Sequence, residues 1–338
     1  MIREAIAAIV EGRSLSQAEA AQVMDEIMTG QATPAQLGAL LIALRLKGET
    51  VEEIAGLASA MRSRAIPVYA PDSAVDTCGT GGDGAGTFNV STTAAFVAAG
   101  AGVAVAKHGN RAMSSRCGSA DVLEALGIRI DLDAAGVSRC LAEVGIGFMF
   151  APLFHPAMKH AAGPRRELGV RTIFNVLGPL TNPAGVRRQV LGVADPTLAP
   201  RLAQALKLLG CKHALVVHGE DGLDEVSISA PSLVYEVKGD QVTAYRVAPE
   251  DFGLNRAPRG SVTGASAEEN AALARKVLEG APGPCRDIVV LNAAAALVVG
   301  GVAKDWREGI TLAQRSIDSG AARRKLEELV EFSRGVSF

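Results

Sequence analysis

The sequence is poor in three features that define other classes of protein: paired cysteines, aromatic residues and an excess of charge of one sign. Its five cysteines are scattered and contain no Cys-x-x-Cys pair, which argues against a disulfide framework or a zinc cluster and favours a reducing cytoplasm. Lysine plus arginine number 34 and aspartate plus glutamate 36, so the net charge is only −2. Nucleic acid and anionic membranes are therefore not expected as partners, and any bound anion needs a local site.

No apolar run reaches the ~20 residues that a helix needs to span a bilayer. The longest run, 288–303, is interrupted by Asn292 and by glycines. The N-terminus contains acidic residues, and its apolar stretch is too short for a secretory signal. We therefore expect a water-soluble protein, and 338 residues are enough to bury a core without disulfides.

Helix signals dominate the first 65 residues, and the pattern changes near residue 70. Capping-box pairs begin at Ser16 and Thr50, which is typical of helix starts. Beyond residue 70, short apolar segments alternate with helical ones, which favours a mostly parallel sheet covered by helices. We predict an α/β protein with a small helical domain, 1–70, joined by part of 160–185, and a larger α/β domain, 71–338.

The pattern also predicts individual elements of the larger domain. Strands are expected at 75–78, at 102–106, and near Ile128, Phe148, Val190 and Val216. Helices are expected at 92–101, 119–126 and 199–209, and through most of 266–334. Alternation within 227–247, centred on Gly239-Asp240, predicts an antiparallel hairpin at the sheet edge.

A glycine-rich loop, 79–84, follows the first predicted strand and precedes a helix. Glycines let backbone amides converge on an anion, and a helix N-terminus adds partial positive charge. The loop also fits a dinucleotide-binding pattern, but no acidic residue lies between Asp83 and Asp121 to bind the ribose hydroxyls. A Walker A loop is excluded because no Gly-Lys-Ser or Gly-Lys-Thr occurs. A phosphate-binding loop is favoured, with a flexible surface loop as the alternative.

Two further segments carry charged and polar side chains. The second predicted strand leads into 107–119, which is rich in cations, amides and hydroxyls. Loops that follow neighbouring parallel strands lie at the same edge of a sheet, so the two loops suit a ligand with two separated phosphates. The segment 218–225 ends in Asp224 and Glu225, which suit a hard cation such as Mg²⁺, with a solvated acidic turn as the alternative.

Taken together, these segments resemble the anthranilate phosphoribosyltransferase family. The motifs are GTGGD at 79–83, NVST at 89–92, KHGNR at 107–111, RTIFNVLGPLTNPA at 171–184 and HGEDGLDEVS at 218–227. The resemblance implies a homodimer whose active site lies between a helical and an α/β domain. It implies transfer of the phosphoribosyl group of 5-phosphoribosyl 1-pyrophosphate (PRPP) to the amine of anthranilate, with Mg²⁺ as cofactor, in tryptophan biosynthesis.

The resemblance also implies roles for individual residues. Lys107, Asn110 and Arg165 would be catalytic, and Ser91, Asp224 and Glu225 would bind the metal. Anthranilate would contact Gly79, Asn110 and Arg165, with His108 and Pro179 nearby and Arg166 as the alternative to Arg165. PRPP would be held by a larger set from both loops: Gly79, Gly82, Asp83, Thr87, Asn89, Val90, Ser91, Thr92, Lys107, His108, Gly109, Asn110, Arg111, Ala112, Met113, Ser114, Ser115 and Ser119.

Two alternatives share the expected fold. A pyrimidine nucleoside phosphorylase would cleave a bond to ribose, but its KHSTGG-like phosphate loop is absent from this sequence. A non-catalytic relative that binds nucleic acid is disfavoured by the near-neutral charge and by the intact pair Asp224 and Glu225.

Overall fold

The computed structural model describes residues 1–112 and 116–335. Met113, Ser114 and Ser115, which were predicted to bind PRPP, lie outside the described residues. Among the helices of the described residues, none combines the length and the apolar character needed to cross a membrane.

Four helices open the chain: α1 (Ile2–Val10), α2 (Gln17–Met28), α3 (Pro34–Lys47) and α4 (Val51–Ser63). The last three begin with the side-chain caps that the sequence indicates, because the hydroxyls of Ser16, Thr33 and Thr50 each accept a hydrogen bond from the backbone three residues later. The apolar faces of these helices share one core with Ile173 and Phe174 and with one face of the sheet.

Seven strands form one sheet in the order β3-β2-β1-β4-β5-β6-β7. Their bounds are β1 Val75–Gly79, β2 Val105–Gly109, β3 Ile146–Phe150, β4 Arg188–Gly192, β5 His213–Gly219, β6 Ser232–Lys238 and β7 Gln241–Val247. The first five strands are parallel, and β6 and β7 form the predicted antiparallel hairpin about Gly239-Asp240. Strand order reverses between β1 and β4, where the carboxyl ends of parallel strands leave room for a ligand.

The other helices are α5 (Val90–Gly100), α6 (Ser119–Ala125), α7 (Ala134–Glu143), α8 (Ala151–Phe154), α9 (Lys159–Leu168), α10 (Phe174–Leu177), α11 (Ala199–Leu208), α12 (Ala267–Leu278), α13 (Pro284–Gly300), α14 (Trp306–Asp318) and α15 (Ala321–Gly335). Helices α5 and α13 are buried almost throughout and pack against each other. The longest apolar run of the sequence therefore lies mainly in α13, a helix of the core.

Three element predictions were wrong in detail. The strand expected at 102–106 runs from Val105 to Gly109, because Gly102 adopts a left-handed turn with φ of 100°. Lys107 and His108 consequently lie in the sheet and not in the loop after it. No strand forms near Ile128, whose backbone N–H instead closes the end of α6 by bonding to Leu123. Helix α5 begins at Val90, two residues before the predicted start.

Candidate active site

Three loops meet at the carboxyl edge of the sheet, after β1 (80–89), β2 (110–112 and 116–118) and β5 (220–231). The loop after β5 folds back over the ends of β1 and β4. A side chain on Gly79 would overlap the carboxylate of Asp224, and one on Gly192 would overlap its backbone carbonyl. Glycine at these two positions therefore lets Asp224, in the loop after β5, reach the glycine-rich loop.

Asp224 and Glu225 are hydrogen-bonded to the segments that were predicted to bind pyrophosphate. The N–H of Gly81 donates to Asp224 Oδ2 at 2.7 Å, and the N–H of Ser91 donates to Glu225 Oε1 at 3.1 Å. The predicted metal residues are thus brought together at the start of α5. We call Asp83, Asp224 and Glu225 the acidic centre.

The acidic centre carries more negative charge than its surroundings balance. Burial raises the pKa of Asp224 to about 6, with a further contribution from nearby Asp83. Burial and the neighbouring Asp224 also raise the pKa of Glu225 well above its usual range, while Lys107 opposes that shift. Within the part of the chain that the structure describes, Asp83 Oδ2 is buried without a hydrogen-bond partner. Such a centre gains stability from a bound cation.

The donor set of the acidic centre fits Mg²⁺. In residues 1–112 and 116–335, no group of three or more histidine, cysteine or carboxylate side chains is arranged as a complete metal cage. Magnesium rarely uses such a cage, since it binds one or two carboxylates together with water and substrate phosphates. Asp224, Glu225 and the hydroxyl of Ser91 would provide oxygen ligands of this kind next to the glycine-rich loop.

Lys107 lies beneath the loops and not at the mouth of the site. Its side chain is buried, and its ammonium group donates to the backbone carbonyl of Thr77 on β1. Burial lowers its pKa, whereas nearby Asp76 and Glu225 favour the charged form. The ammonium of Lys107 is therefore a buried counter-charge to Asp76 and to Glu225 of the acidic centre.

The start of α5 is held by neighbouring segments. Asn89 occupies the N-cap position of α5 without a side-chain cap, and its Oδ1 instead accepts a hydrogen bond from Nδ2 of Asn270 at 3.0 Å. Thr87 forms an isolated antiparallel bridge with Thr263. Val90 and Thr92 are buried, which leaves Ser91 as the half-buried hydroxyl of the first turn.

The loop after β2 is organised by a residue that the sequence analysis missed, Asp121. Its Oδ2 accepts hydrogen bonds from the N–H groups of Ala112 and Gly118, at 3.0 and 2.8 Å, so one carboxylate holds both ends of the loop. Arg111 forms ion pairs with Asp121 and Glu124 on α6. An acidic residue in the first turn of α6 was the available signal for this role.

Gly109, Asn110 and Ser119 pack closely together at the start of this loop. The hydroxyl of Ser119 donates to the carbonyl of Asn110 at 3.3 Å. A side chain on Gly109 would overlap the same hydroxyl, so glycine is needed for this approach. The side chain of Asn110 is exposed, with its Oδ1 bonded to the N–H of Arg111.

On the opposite face of β2, His108 packs against a second buried imidazole, His155, with ring centroids 5.1 Å apart. Burial lowers the pKa of His108 to about 3 and that of His155 to about 4, so both rings are neutral near pH 7. Among the described residues, neither Nε2 atom has a hydrogen-bond partner. His155 was missed because no short motif contains it; its position just after β3 and α8 was the only signal.

Arg165 and Arg166 occupy different environments on α9. Arg165 is half-buried, and its guanidinium lies 4.9 Å from the ring centroid of Phe174. Burial lowers its pKa. Arg166 is exposed. Pro164 lies within the helix, so the Gly163-Pro164 sequence does not prevent helical geometry at Arg165.

A cavity of about 510 Å³ opens at the β1–β4 crevice, between the opening helices and the sheet. Its lining includes Thr80 and Gly82 of the glycine-rich loop and the side chains of Arg45, Arg171 and Arg201. Arg171 Nη2 donates to the carbonyls of Thr80 and Gly81, each at 2.9 Å. The sequence analysis gave Arg171 no role, although it is the first residue of the 171–184 motif.

Comparisons with known proteins agree with this architecture. Residues 3–65 match the helical bundle domain of a glycosyl transferase family, and residues 71–323 match the α/β domain of the same family. The chain is 61% identical to an anthranilate phosphoribosyltransferase of Chloroflexus aggregans, over 99% of both chains. It is 58% identical to one of Moorella thermoacetica, over 98% of both.

Solved structures give the same result. The crystal structure of anthranilate phosphoribosyltransferase from Thermus thermophilus has a TM-score of 0.93 at 47% identity, covering 98% of this chain and 99% of that one. The enzyme from Saccharomyces cerevisiae in complex with PRPP and Mg has a TM-score of 0.91 at 30% identity, covering 99% of this chain and 98% of that one. With these similarities along its whole length, the chain belongs to the anthranilate phosphoribosyltransferase family of glycosyltransferases.

Proposed function

We propose that the chain transfers the 5-phosphoribosyl group of PRPP to the amine of anthranilate, giving N-(5-phosphoribosyl)anthranilate and pyrophosphate, a step of tryptophan biosynthesis. The observation that carries this proposal is the contact between a phosphate-binding loop and a buried carboxylate pair. Gly81 bonds to Asp224, and Ser91 bonds to Glu225. A substrate with a pyrophosphate group that binds Mg²⁺ suits this combination of groups.

Each of the two loops binds a different phosphate group of PRPP. The loop after β1 and the first turn of α5 hold the pyrophosphate, through backbone N–H groups and the hydroxyl of Ser91. The loop after β2, fixed by Asp121, holds the 5-phosphate. When bound to Ser91, Asp224 and Glu225, Mg²⁺ supplies positive charge that stabilises the pyrophosphate leaving group.

Transfer builds positive charge on the ribose ring while negative charge leaves with pyrophosphate, by analogy with glycoside chemistry. The buried ammonium of Lys107 contributes a fixed charge beneath the leaving group. Anthranilate attacks as a neutral amine, so no strong base is needed before attack. Either Asp83, whose Oδ2 has no partner within the described residues, or a water molecule accepts the proton after the bond has formed.

The anthranilate site lies on the His108 face of β2. The neutral imidazoles of His108 and His155 provide unpaired polar atoms for an uncharged amine and an apolar surface for an aromatic ring. Arg165 pairs with the carboxylate, and Asn110 orients the molecule toward the ribose. The half-buried position of Arg165 supports this assignment over exposed Arg166.

The domain division at residue 70 supports catalysis in a cleft. The helical domain, 1–70, takes part of 160–185 into its core, and this proposal is supported by the packing of Ile173 and Phe174 against the opening helices. The α/β domain, 71–338, carries both phosphate loops. A cleft between two such domains closes over a charged substrate and excludes water, which limits hydrolysis of PRPP.

We further propose that the chain forms a homodimer in the cytoplasm and has no nucleic-acid partner. Val10 and Leu46 are 72% and 82% exposed and lie on α1 and α3, two helices that pack against each other, so both are available to one interface. Sedimentation velocity of the purified chain is expected to show a dimer that Leu46→Glu weakens. A wild-type monomer at micromolar concentration contradicts the dimer.

Loss of anthranilate fluorescence tests the proposed reaction directly. The signal is expected to fall only when both PRPP and Mg²⁺ are present, with stoichiometric release of pyrophosphate. Glu220→Gln, a change in a carboxylate of the same turn that pairs with Arg246, is the matched control and leaves the rate unchanged. Phosphorolysis of a pyrimidine nucleoside without anthranilate turnover would instead support the phosphorylase alternative, which the similar proteins do not favour.

A further inference from the structure

Arg171 is bonded to the backbone of the glycine-rich loop and to no substrate group in the proposed mechanism. Its Nη2 donates to the carbonyl oxygens of Thr80 and Gly81 at 2.9 Å. Its guanidinium also lies so close to Gly82 that a side chain there would overlap it. Among the described residues, Arg171 has no carboxylate partner, so its hydrogen bonds are directed to the loop.

These two hydrogen bonds fix the orientation of two peptide groups. A trans peptide is planar, and its C=O and N–H point in opposite directions. The carbonyl of Thr80 faces Arg171, and the N–H of Gly81 in the same peptide donates to Asp224 on the other side. The carbonyl of Gly81 also faces Arg171, so the N–H of Gly82 points away from it. Within the described residues, that N–H has no acceptor.

Without a donor at these carbonyls, the glycines would allow the peptides to rotate. Gly81 and Gly82 have φ values of 63° and 81°, in the region that glycine adopts freely. A loop with two adjacent glycines has many accessible conformations, and only some of them present both N–H groups on the same side. A guanidinium that binds two successive carbonyls selects among those conformations.

The same residue connects the loop to the opening helices. The guanidinium of Arg45, near the end of α3, donates to the backbone carbonyl of Arg171. A continuous path of hydrogen bonds therefore runs from α3 through Arg171 to Thr80 and Gly81. The position of α3 is thereby linked to the conformation of the glycine-rich loop.

We propose that Arg171 is a positioning residue for the PRPP site, because it holds the Thr80–Gly81 and Gly81–Gly82 peptides so that the N–H of Gly81 stays on Asp224 and the N–H of Gly82 faces the pyrophosphate. This inference rests on the proposed function. The first residue of the 171–184 motif thereby fixes the conformation of the glycine-rich loop. Arg45 supports Arg171 by connecting α3 to its backbone carbonyl.

Hydrogen–deuterium exchange of the substrate-free protein tests the structural part of the inference without any turnover. In Arg171→Ala, a peptide that covers 79–89 is expected to exchange at least fivefold faster than in the wild type. Arg201→Ala is the matched control, because Arg201 lines the same cavity but donates to Glu49 and not to the loop. Equal exchange in the wild type and Arg171→Ala overturns the inference.

Steady-state kinetics test its consequence. Arg171→Ala is expected to raise the KM for PRPP roughly tenfold, the scale expected for losing charge-assisted hydrogen bonds at an exposed position, while the KM for anthranilate changes less than about twofold. Arg171→Lys, with a point charge in place of a planar fork, is expected to recover part of the loss, and Arg45→Ala to show a smaller loss. A rise in both KM values, or none, overturns the inference. A wild-type chain that does not consume anthranilate would refute the proposed function while the exchange result still decides the role of Arg171.

Discussion

Lys107 and His108 are adjacent on β2, and their side chains lie on opposite faces of the sheet. On the Lys107 face, burial raises the pKa of Asp224 and Glu225 and leaves a negative centre that needs a cation. On the His108 face, burial lowers the pKa of His108 and His155 and leaves neutral rings. Under the proposed function, burial together with neighbouring charges prepares one face for a charged phosphate–metal group and the other for an uncharged amine.

Under the proposed function, the same contrast keeps each substrate in its own site. A carboxylate such as that of anthranilate is repelled by the acidic centre unless a metal is present. On the His108 face, the positive charge that we assign to the site, Arg165, would offset only part of the charge of a pyrophosphate group, and transfer of the remainder into an apolar site is costly. Under the proposed function, the alternation of side chains along β2 therefore separates the two binding sites.

Asp224→Asn is expected to have the largest effect, because it removes one of the two carboxylates that face the metal. We expect turnover to fall about 1,000-fold, a magnitude typical of losing an electrostatic contribution to the transition state. The thermal midpoint of the metal-free protein is expected to rise, since asparagine keeps an acceptor for Gly81 and removes a buried charge. Initial rates over a Mg²⁺ titration and thermal melts measure the two effects.

Glu220→Gln serves again as the control, because it removes an acid from the same loop away from the acidic centre. If Asp224→Asn loses activity and stability together, damage to the fold explains the result and the acidic face has no special electrostatic role. If activity is unchanged, Asp224 does not support the metal.

His108→Ala is expected to have an intermediate effect confined to the other face. We expect the KM for anthranilate to rise about tenfold, the scale of one lost hydrogen bond and some packing, while the KM for PRPP stays within about twofold. His155→Ala is expected to act in the same direction. Kinetics with each substrate varied in turn measure the difference, and an equal rise for PRPP would contradict the separation of the two faces.

The smallest effect concerns stability against pH. The unfolded chain binds protons on both histidines near pH 6.5, whereas the folded protein does so only near 3 and 4. The unfolded state therefore binds more protons between these values, and stability is lost as the pH falls through this window. Thermal melts of the metal-free protein are expected to show this loss, and His155→Phe is expected to reduce it by several degrees. A variant with the same slope as the wild type would show that His155 is not buried as a neutral ring.

Local patterns were sufficient for much of the fold. The helix caps at Ser16 and Thr50 and the hairpin about Gly239-Asp240 were predicted because turn and cap chemistry depends on neighbouring residues. The strand near Ile128 was wrong because an apolar run does not reveal whether a partner strand lies beside it. The start of β2 was missed for a similar reason, since Gly102 ends a turn that belongs to α5.

The residues of the site also divide into those that the sequence could predict and those that depend on distant contacts. The proximity of Asp224 and the glycine-rich loop was predictable, because ligands gather at the carboxyl edge of a parallel sheet. Asp121, His155 and Arg171 were not, since each acts through contacts between residues that are distant in sequence or through backbone atoms. No residue type or spacing marks a side chain that binds a carbonyl group some 90 residues away, as Arg171 binds Thr80.

Helix α13 carries one polar side chain at the centre of its buried stretch, Asn292. Its Oδ1 accepts a hydrogen bond from the N–H of Val226 at 2.9 Å, and its Nδ2 donates to the carbonyl of the same residue at 3.0 Å. Val226 directly follows Glu225, so Asn292 anchors the chain beside the carboxylates that we propose bind the metal. An apolar residue in place of Asn292 would remove these hydrogen bonds to Val226. A redesign of α13 should therefore keep Asn292 as well as the residues of the active site.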